Sequence, residues 1–198
     1  MKSENLDRFY KFHSVIYDIT RVFFLPCRAK AVKLLKPMPN DTIIDFGCGT
    51  GYNLKKIYNL SSETSLVGVD LSSHMLKKAS KKIPSAKYYK HDIGTINIKY
   101  KAEKIISSYA LSMVPDWQKV ILNMKKHLKK NGTLVIADFY KFSGFLKIFY
   151  PPFSLWLKAH GVTPHIEITD FLKIHFKNVE ESIFYSGYAF IVKAKDPV

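Results

Sequence analysis

Three glycines at alternate positions follow directly on a carboxylate, in the stretch that reads DFGCGTG over residues 45–51. The apolar run before Asp45 predicts a strand, and the residues after Gly51 predict a helix. Glycine has no Cβ, so such a turn lets a polar or flat ligand lie directly on the backbone. The spacing departs from the G-x-G-x-x-G pattern that places a pyrophosphate at a helix start. The stretch therefore favours a nucleoside ligand over a dinucleotide.

Two further carboxylates stand where neighbouring strands are expected to end. Asp70 closes the short apolar run 65–70, close to the offset of roughly 20 residues at which an acid binds a ribose. Asp92 follows a third predicted strand that begins at residue 87. Because ligands of open α/β sheets bind at the carboxyl ends of the strands, Asp45, Asp70 and Asp92 should face one ligand.

The D-x-G-x-G-x-G stretch resembles the cofactor loop of class I S-adenosylmethionine-dependent methyltransferases, and the resemblance covers residues 40–140. It implies S-adenosylmethionine as the cofactor, with Asp92 accepting the adenine amino group; Met75 is read either as an adenine contact or as a core residue. The implied cofactor-binding residues are Asp45, Gly47, Gly49, Gly51, Asp70, Leu71, Met75, Asp92, Ile93 and Tyr109. Methyltransferases of nucleic-acid bases often carry Asn/Asp-Pro-Pro-aromatic after the fourth strand. This chain has YALSMVP over residues 109–115 instead, so a nucleic-acid partner is not expected.

A narrower resemblance concerns the acceptor. The stretches FYKFH at 9–13, IYDITR at 16–21 and GTGYNL at 49–54 are similar to bacterial phospholipid N-methyltransferases, which convert phosphatidylethanolamine towards phosphatidylcholine. The resemblance implies a phospholipid headgroup amine as acceptor, at an anionic membrane surface. A Tyr-Asp pair also occurs in quinone-ring C-methyltransferases, so a soluble small-molecule or quinone-ring methyltransferase is the alternative. Tyr17 and His13, four residues apart on one helix face, are the candidate catalytic residues for accepting the amine proton.

The charge balance is strongly basic, with 31 lysines and arginines against 16 acids and a net charge of +15. Only Arg8, Arg21 and Arg28 are arginines, so lysine dominates. Because base-edge reading favours the arginine fork, this surface suits an anionic membrane better than a nucleic acid, or it reflects composition alone. Two cysteines are too few for a disulfide framework, and the first residues do not form a secretory signal. We therefore expect a cytoplasmic protein, in peripheral contact with the inner membrane face if the acceptor is a lipid.

The elements that must position these residues alternate between strand and helix and end in a hairpin. The pattern predicts a doubly wound α/β sheet, mostly parallel with an antiparallel C-terminal hairpin. We expect a single domain over 1–198, with a helical arm over 1–36, a cofactor-binding core over 40–140, and an aromatic segment, helix and final strands over 141–198. The predicted late elements are a helix over 117–130 stopped by Asn131-Gly132, a strand over 133–139, a helix over 167–176, and strands over 178–184 and 187–194.

Two apolar segments have more than one interpretation. Phe9 to Phe23 predicts an amphipathic helix, either packed on the sheet or lying over the cofactor. Residues 141–158 crowd aromatic side chains and lysines around Pro151-Pro152, which preclude one straight helix. This aromatic segment suits an interfacial membrane contact, the roof of an apolar substrate pocket, or ordinary core packing.

Overall fold

The computed structural model describes residues 25–143, 147–148, 150–159 and 161–198. The helices are α1 Arg28–Leu35, α2 Tyr52–Leu60, α3 Ser73–Lys82, α4 Trp117–His127, α5 Tyr150–Ala159 and α6 Ile168–His175. The strands are β1 Thr42–Phe46, β2 Ser65–Asp70, β3 Lys87–Lys90, β4 Ala102–Ser108, β5 Leu128–Phe139, β6 Phe176–Phe184 and β7 Ala189–Pro197. A 3-10 turn, Leu111–Met113, follows β4. The predicted helix over Phe9 to Phe23, with Tyr17 and His13, lies outside the described residues.

The seven strands form one sheet in the order β3-β2-β1-β4-β5-β7-β6. Strand β1 pairs in parallel with β2 and β4, and β5 pairs in parallel with β4. Strand β7 runs antiparallel to both β5 and β6. The prediction of a doubly wound α/β sheet with an antiparallel C-terminal hairpin is confirmed. The reversal of strand order at β1 and β4 opens the crevice in which such sheets bind ligands.

Apolar side chains cover both faces of the sheet. One face packs against α4 and α6 through residues such as Ile121 and Leu172, and the other packs against α1, α2 and α3. Consecutive residues of β4 serve opposite faces, with Ile105 in the first cluster and Ile106 in the second. Burial on both faces is why the parallel strands read as continuous apolar runs.

The C-terminal end of α4 was predicted wrongly. The helix stops at His127, and Asn131-Gly132 lies inside β5, because Leu128 pairs with Ala102 at the start of β4. The ring of His127 helps to end the helix: its Nδ1 lies 2.7 Å from the carbonyl oxygen of Asn123, and its Nε2 accepts a hydrogen bond from the backbone N–H of Ile98 at 2.9 Å.

The predicted helix over 167–176 is confirmed as α6. The two final strands are confirmed, but β6 begins two residues before the predicted start and β7 covers residues 189–197 rather than 187–194.

Helix α5 begins at Tyr150 and carries both prolines, Pro151 and Pro152, in its first turn. Proline is tolerated there because the first backbone N–H groups of a helix have no partner within it. The prolines therefore start a helix within the aromatic segment. In the parts of the chain that the structure describes, every helix is too short or too polar to cross a bilayer.

Candidate active site at the carboxyl edge of the sheet

The three glycines form a turn between β1 and α2 that is tied to the end of β2. All three have left-handed backbone angles, with φ of 78° at Gly47, 52° at Gly49 and 79° at Gly51. The backbone N–H of Gly47 donates to the carbonyl oxygen of Val69 at 2.8 Å, and that of Gly49 donates to Oδ2 of Asp70 at 2.8 Å. The loop and the second carboxylate predicted from sequence are therefore in direct contact.

Two of these glycines are also needed for close packing within the protein. A Cβ on Gly47 would stand 2.5 Å from the Cβ of Ala110, and one on Gly51 would stand 3.0 Å from the Cβ of Ala79. Open backbone for a ligand was the role expected from sequence. The structure adds that the loop must pass close to Ala110, two residues after β4, and to α3, which a side chain would prevent.

Asp45 lies at the bottom of the loop in a buried polar cluster. The side-chain amide of Asn53 donates to Oδ1 of Asp45 at 3.2 Å and to the hydroxyl of Ser108 at 3.2 Å. Neither Oδ2 of Asp45 nor Oδ1 of Asn53 has a hydrogen-bond partner within the part of the chain that the structure describes. Burial raises the pKa of Asp45 to about 7, although the Asn53 hydrogen bond and the charge of Arg28 lower it.

Asp70 is held by the backbone on both sides. Its Oδ1 accepts from the backbone N–H of Ser72 at 2.9 Å, while its Oδ2 accepts from Gly49. Ser72 caps α3 by accepting from the backbone N–H of Met75. Leu71 between them is 37% exposed, whereas Met75 is 2% exposed. Leu71 is therefore open to a ligand, and Met75 is buried at the start of the helix.

Asp92 and Ile93 stand beside the end of β2. The backbone N–H of His91 donates to the carbonyl oxygen of Asp70 at 3.1 Å. Asp92 itself is exposed, and its Oδ1 accepts from the backbone N–H of Gly94 at 2.6 Å. Ile93 is buried in the cluster that faces α4 and α6. The structure thus brings Asp45, Asp70 and Asp92 to one edge of the sheet.

The side chain of Tyr109 points towards α1. Its φ is 54°, its backbone N–H donates to the carbonyl oxygen of Ala137, and its hydroxyl accepts from the backbone N–H of Cys27 at 3.4 Å. Burial raises the pKa of this hydroxyl. Its ring meets that of Phe139 edge-on at 4.8 Å. Tyr109 was predicted to bind the cofactor. In the structure its ring packs against other aromatic residues.

Those residues form one aromatic cluster beyond the ends of β4 and β5. The cluster consists of Tyr109, Phe139, Phe142, Tyr150, Phe153 and Tyr188. Centroid distances between neighbouring rings run from 4.8 Å for Tyr109–Phe139 to 6.5 Å for Phe139–Phe153. Tyr188 anchors it from the β6–β7 turn, because its carbonyl oxygen accepts from the backbone N–H of Tyr140 at 3.0 Å. Part of the aromatic segment therefore packs at the carboxyl edge of the sheet, next to the polar site.

Sequence reasoning missed two residues at this site, Asn53 and Arg28. Asn53 is the second residue of α2, and its position just after the last glycine was the available signal. Arg28 is 8% exposed, and its guanidinium lies 3.9 Å from the ring centroid of Tyr52, the first residue of α2. In a chain whose basic residues are nearly all lysine, a buried arginine beside the loop was a second signal.

Comparison with known proteins agrees with this geometry. A family model described as a methyltransferase domain matches residues 37–165. The chain belongs to this family. Its sheet has the fold of class I S-adenosylmethionine-dependent methyltransferases, and the solved structures that it resembles include two N-methyltransferases with S-adenosylhomocysteine bound. A phospholipid N-methyltransferase is absent from the curated relatives described below, so the narrower resemblance has no support from them.

Two curated relatives each match about half of this chain. A malonyl-[acyl-carrier protein] O-methyltransferase of Bacillus anthracis is 27% identical over 99 residues, covering 49% of this chain and 37% of the relative. A ubiquinone/menaquinone biosynthesis C-methyltransferase of Campylobacter jejuni is 31% identical over 106 residues, covering 50% and 45%. The matched region is thus less than half of each relative's length. A crystal structure of an S-adenosylmethionine-dependent methyltransferase from Thermotoga maritima superposes with a TM-score of 0.73 at 17% identity, covering 96% of this chain and 97% of that one.

Proposed function

We propose that S-adenosylmethionine lies across the carboxyl ends of β1, β2 and β3. The observation that supports this placement is the pair of buried acceptors without partners, Oδ2 of Asp45 and Oδ1 of Asn53. Buried polar atoms are normally hydrogen-bonded, so these two fit a donor from a ligand, and the amino acid end of the cofactor carries an ammonium group. Asp70 then faces the ribose, and Leu71, Met75, Asp92 and Ile93 surround the adenine.

Arg28 fits the other charge of the same end. A guanidinium binds a carboxylate with two parallel hydrogen bonds, and a helix N-terminus such as that of α2 favours negative charge. Arg28 lies over Tyr52 at that N-terminus, and its charge acts on Asp45. The ammonium and carboxylate of the cofactor would thus meet Asp45 and Arg28 respectively.

For the acceptor we propose a small molecule with an apolar or ring-shaped body. The observation that carries this proposal is the aromatic cluster, which stands at the same edge of the sheet as the polar site. Aromatic walls favour planar and apolar ligands, since they bury area at little cost in side-chain freedom. The relative from Campylobacter jejuni is a quinone-pathway C-methyltransferase, which agrees with a ring acceptor.

A phospholipid headgroup amine is the second candidate acceptor. Aromatic rings also attract a methylated ammonium through cation–π contacts, so the same cluster suits that group. The net charge of +15 would favour an anionic surface. The small-molecule reading ranks first because the described relatives act on a carrier-bound acid and in quinone biosynthesis, as their names state.

The chain's own task in the reaction is positioning and proton removal. The bound cofactor supplies a methyl group already activated for in-line displacement. The protein must hold an acceptor against it and exclude water, which aligned binding and an apolar wall provide. An amine or ring-hydroxyl acceptor must also lose a proton, and we propose Tyr17 and His13 for that role. Both lie outside the described residues.

A product assay tests the acceptor class. The protein is incubated with methyl-labelled S-adenosylmethionine and, separately, with a demethylated quinone, small amines, small carboxylic acids, and phosphatidylethanolamine vesicles. We expect label in a small-molecule product. Phe153→Ala should slow the transfer, because it removes a ring of the aromatic cluster. Tyr185→Ala should have little effect, because Tyr185 lies outside the cluster and is 51% exposed.

Tyr17→Phe should slow transfer while leaving cofactor affinity intact. Label confined to the lipid would replace the small-molecule proposal.

A further inference from the structure

A basic groove lies at the opposite edge of the sheet from the glycine loop. Its volume is about 520 Å³, and its lining includes Lys101, Lys125, Lys126, Lys130, Leu122 and Val198. Lys101 precedes β4, Lys130 lies near the start of β5, and Val198 follows the end of β7, so the groove is at the amino edge. Strand β4 spans the seven residues between the two edges, which is about 20 Å. A molecule in this groove would leave the cofactor site open.

The residues that line the groove include four lysines and no acidic side chain. The acids on the adjoining described segments are engaged elsewhere. Glu103 accepts from Lys129 and from the backbone N–H of Thr42, and Asp196 accepts from Asn178. The field of Lys125 reaches neighbouring groups, since it adds to burial in lowering the pKa of His175. The groove therefore attracts anions.

The groove is also apolar. Leu122 is 44% exposed and Val198 is 64% exposed, and both border it together with the buried Leu128. A ligand that covers these side chains gains from apolar burial as well as from charge. The four lysines come from α4 and from the starts of β4 and β5, so the groove offers several cations to one ligand. The complementary ligand has several carboxylates and interspersed apolar side chains.

We propose that this basic groove docks an acidic, leucine-bearing segment of another protein. The apolar residues here line a shallow, open depression, which a protruding side chain fills better than a flat bilayer surface does. A nucleic acid backbone would match the lysines but would leave Leu122 and Val198 uncovered by apolar groups. An acidic amphipathic segment can pair with the lysines and also cover the apolar residues, as an amphipathic helix does when it binds in an apolar groove. Docking at this edge is separate from methyl transfer and does not depend on the identity of the acceptor.

Fluorescence anisotropy with the full chain tests the proposal. The probe is a labelled synthetic peptide built from Glu-Glu-Leu repeats, and its comparator has every leucine replaced by serine. Reversing two exposed lysines of the groove, Lys101→Glu with Lys130→Glu, should weaken peptide binding by about tenfold or more, because attraction becomes repulsion. The matched control, Lys77→Glu with Lys81→Glu on the exposed face of α3, makes the same change in net charge and should have little effect.

A second pair of variants tests the apolar contribution. Leu122→Ser should weaken binding of the leucine peptide, whereas Leu60→Ser, at a residue that is 56% exposed on α2, should leave it unchanged. Unaltered S-adenosylhomocysteine binding in all variants shows that they fold. Equal losses in the groove and control lysine pairs, or equal affinity for the serine comparator, would overturn the proposal. So would tighter groove-dependent binding of short duplex DNA or of phosphatidylglycerol vesicles, since the occupant would then be a different one.

Discussion

At the scale of single residues, the site depends on a carboxylate that accepts a hydrogen bond at only one of its two oxygens. Asp45 is fully buried, with one oxygen bonded to Asn53 and the other without a partner among the described residues. An ionised carboxylate in such a position is costly until a cation arrives. The same residue thus lowers the stability of the empty site and raises its affinity for an ammonium group.

Cofactor affinity should therefore depend on pH. Burial raises the pKa of Asp45 to about 7 in the empty protein, and an ammonium partner would lower it. Binding would then release a proton, so S-adenosylhomocysteine affinity should rise from about pH 6 to about pH 8 and level off above the pKa. Calorimetry in two buffers of different ionisation enthalpy measures that proton.

Two controls test whether Asp45 is the residue that makes cofactor affinity depend on pH. Affinity for 5′-methylthioadenosine, which lacks the amino acid end, should be independent of pH over the same range. Asp45→Asn should remove the pH dependence for S-adenosylhomocysteine. An unchanged pH profile in Asp45→Asn would show that another group releases the proton.

Arg28 offers a test of the carboxylate contact. Arg28→Met keeps an unbranched, flexible side chain beside Tyr52 and removes the guanidinium and its charge. We expect S-adenosylmethionine affinity to fall by about 1.5–3 kcal/mol, the range for a hydrogen bond to a charged group. Decarboxylated S-adenosylmethionine should bind both proteins alike. An equal loss for the two ligands would mean that Arg28 only fastens α1 to α2.

At the scale of elements, the junction of α4 and β5 depends on one buried histidine. The Nε2 of His127, a residue that is 2% exposed, accepts the backbone N–H of Ile98, which is itself buried. His127→Leu leaves that N–H without an acceptor and should lower the free energy of unfolding by about 1–3 kcal/mol. His127→Gln can still accept and should recover part of the loss. Urea unfolding measures both, and equal losses in the two variants would contradict this role.

The same junction shows what the sequence could and could not predict. The strands, their mostly parallel arrangement and the three carboxylates at one edge follow from local apolar runs and their endings, and they were predicted. The end of α4 was not, because Asn131-Gly132 is a strong local stop and the pairing of Leu128 with Ala102 is a contact between distant parts of the chain. Asn53 and Arg28 were not predicted as site residues for a related reason, since only the fold brings them to Asp45.

At the scale of the whole molecule, the net charge of +15 acts on any anionic surface. We expect binding to phosphatidylglycerol vesicles that falls steeply with added salt, because each lysine near a surface contributes about 1 kcal/mol that screening removes. Sedimentation with anionic and with uncharged vesicles measures it. Equal binding to both kinds would mean that the lysines do not direct the protein to membranes.

Strand β7 has a further consequence for how the protein is made. It lies between β5 and β6 in the sheet, although it follows both in the chain. While the ribosome is still adding residues 189–197, the edge of β5 that pairs with β7 has no neighbour. An open edge of this kind invites pairing with other chains. We therefore expect a stop codon just before Ala189 to yield an aggregating chain rather than a smaller folded protein.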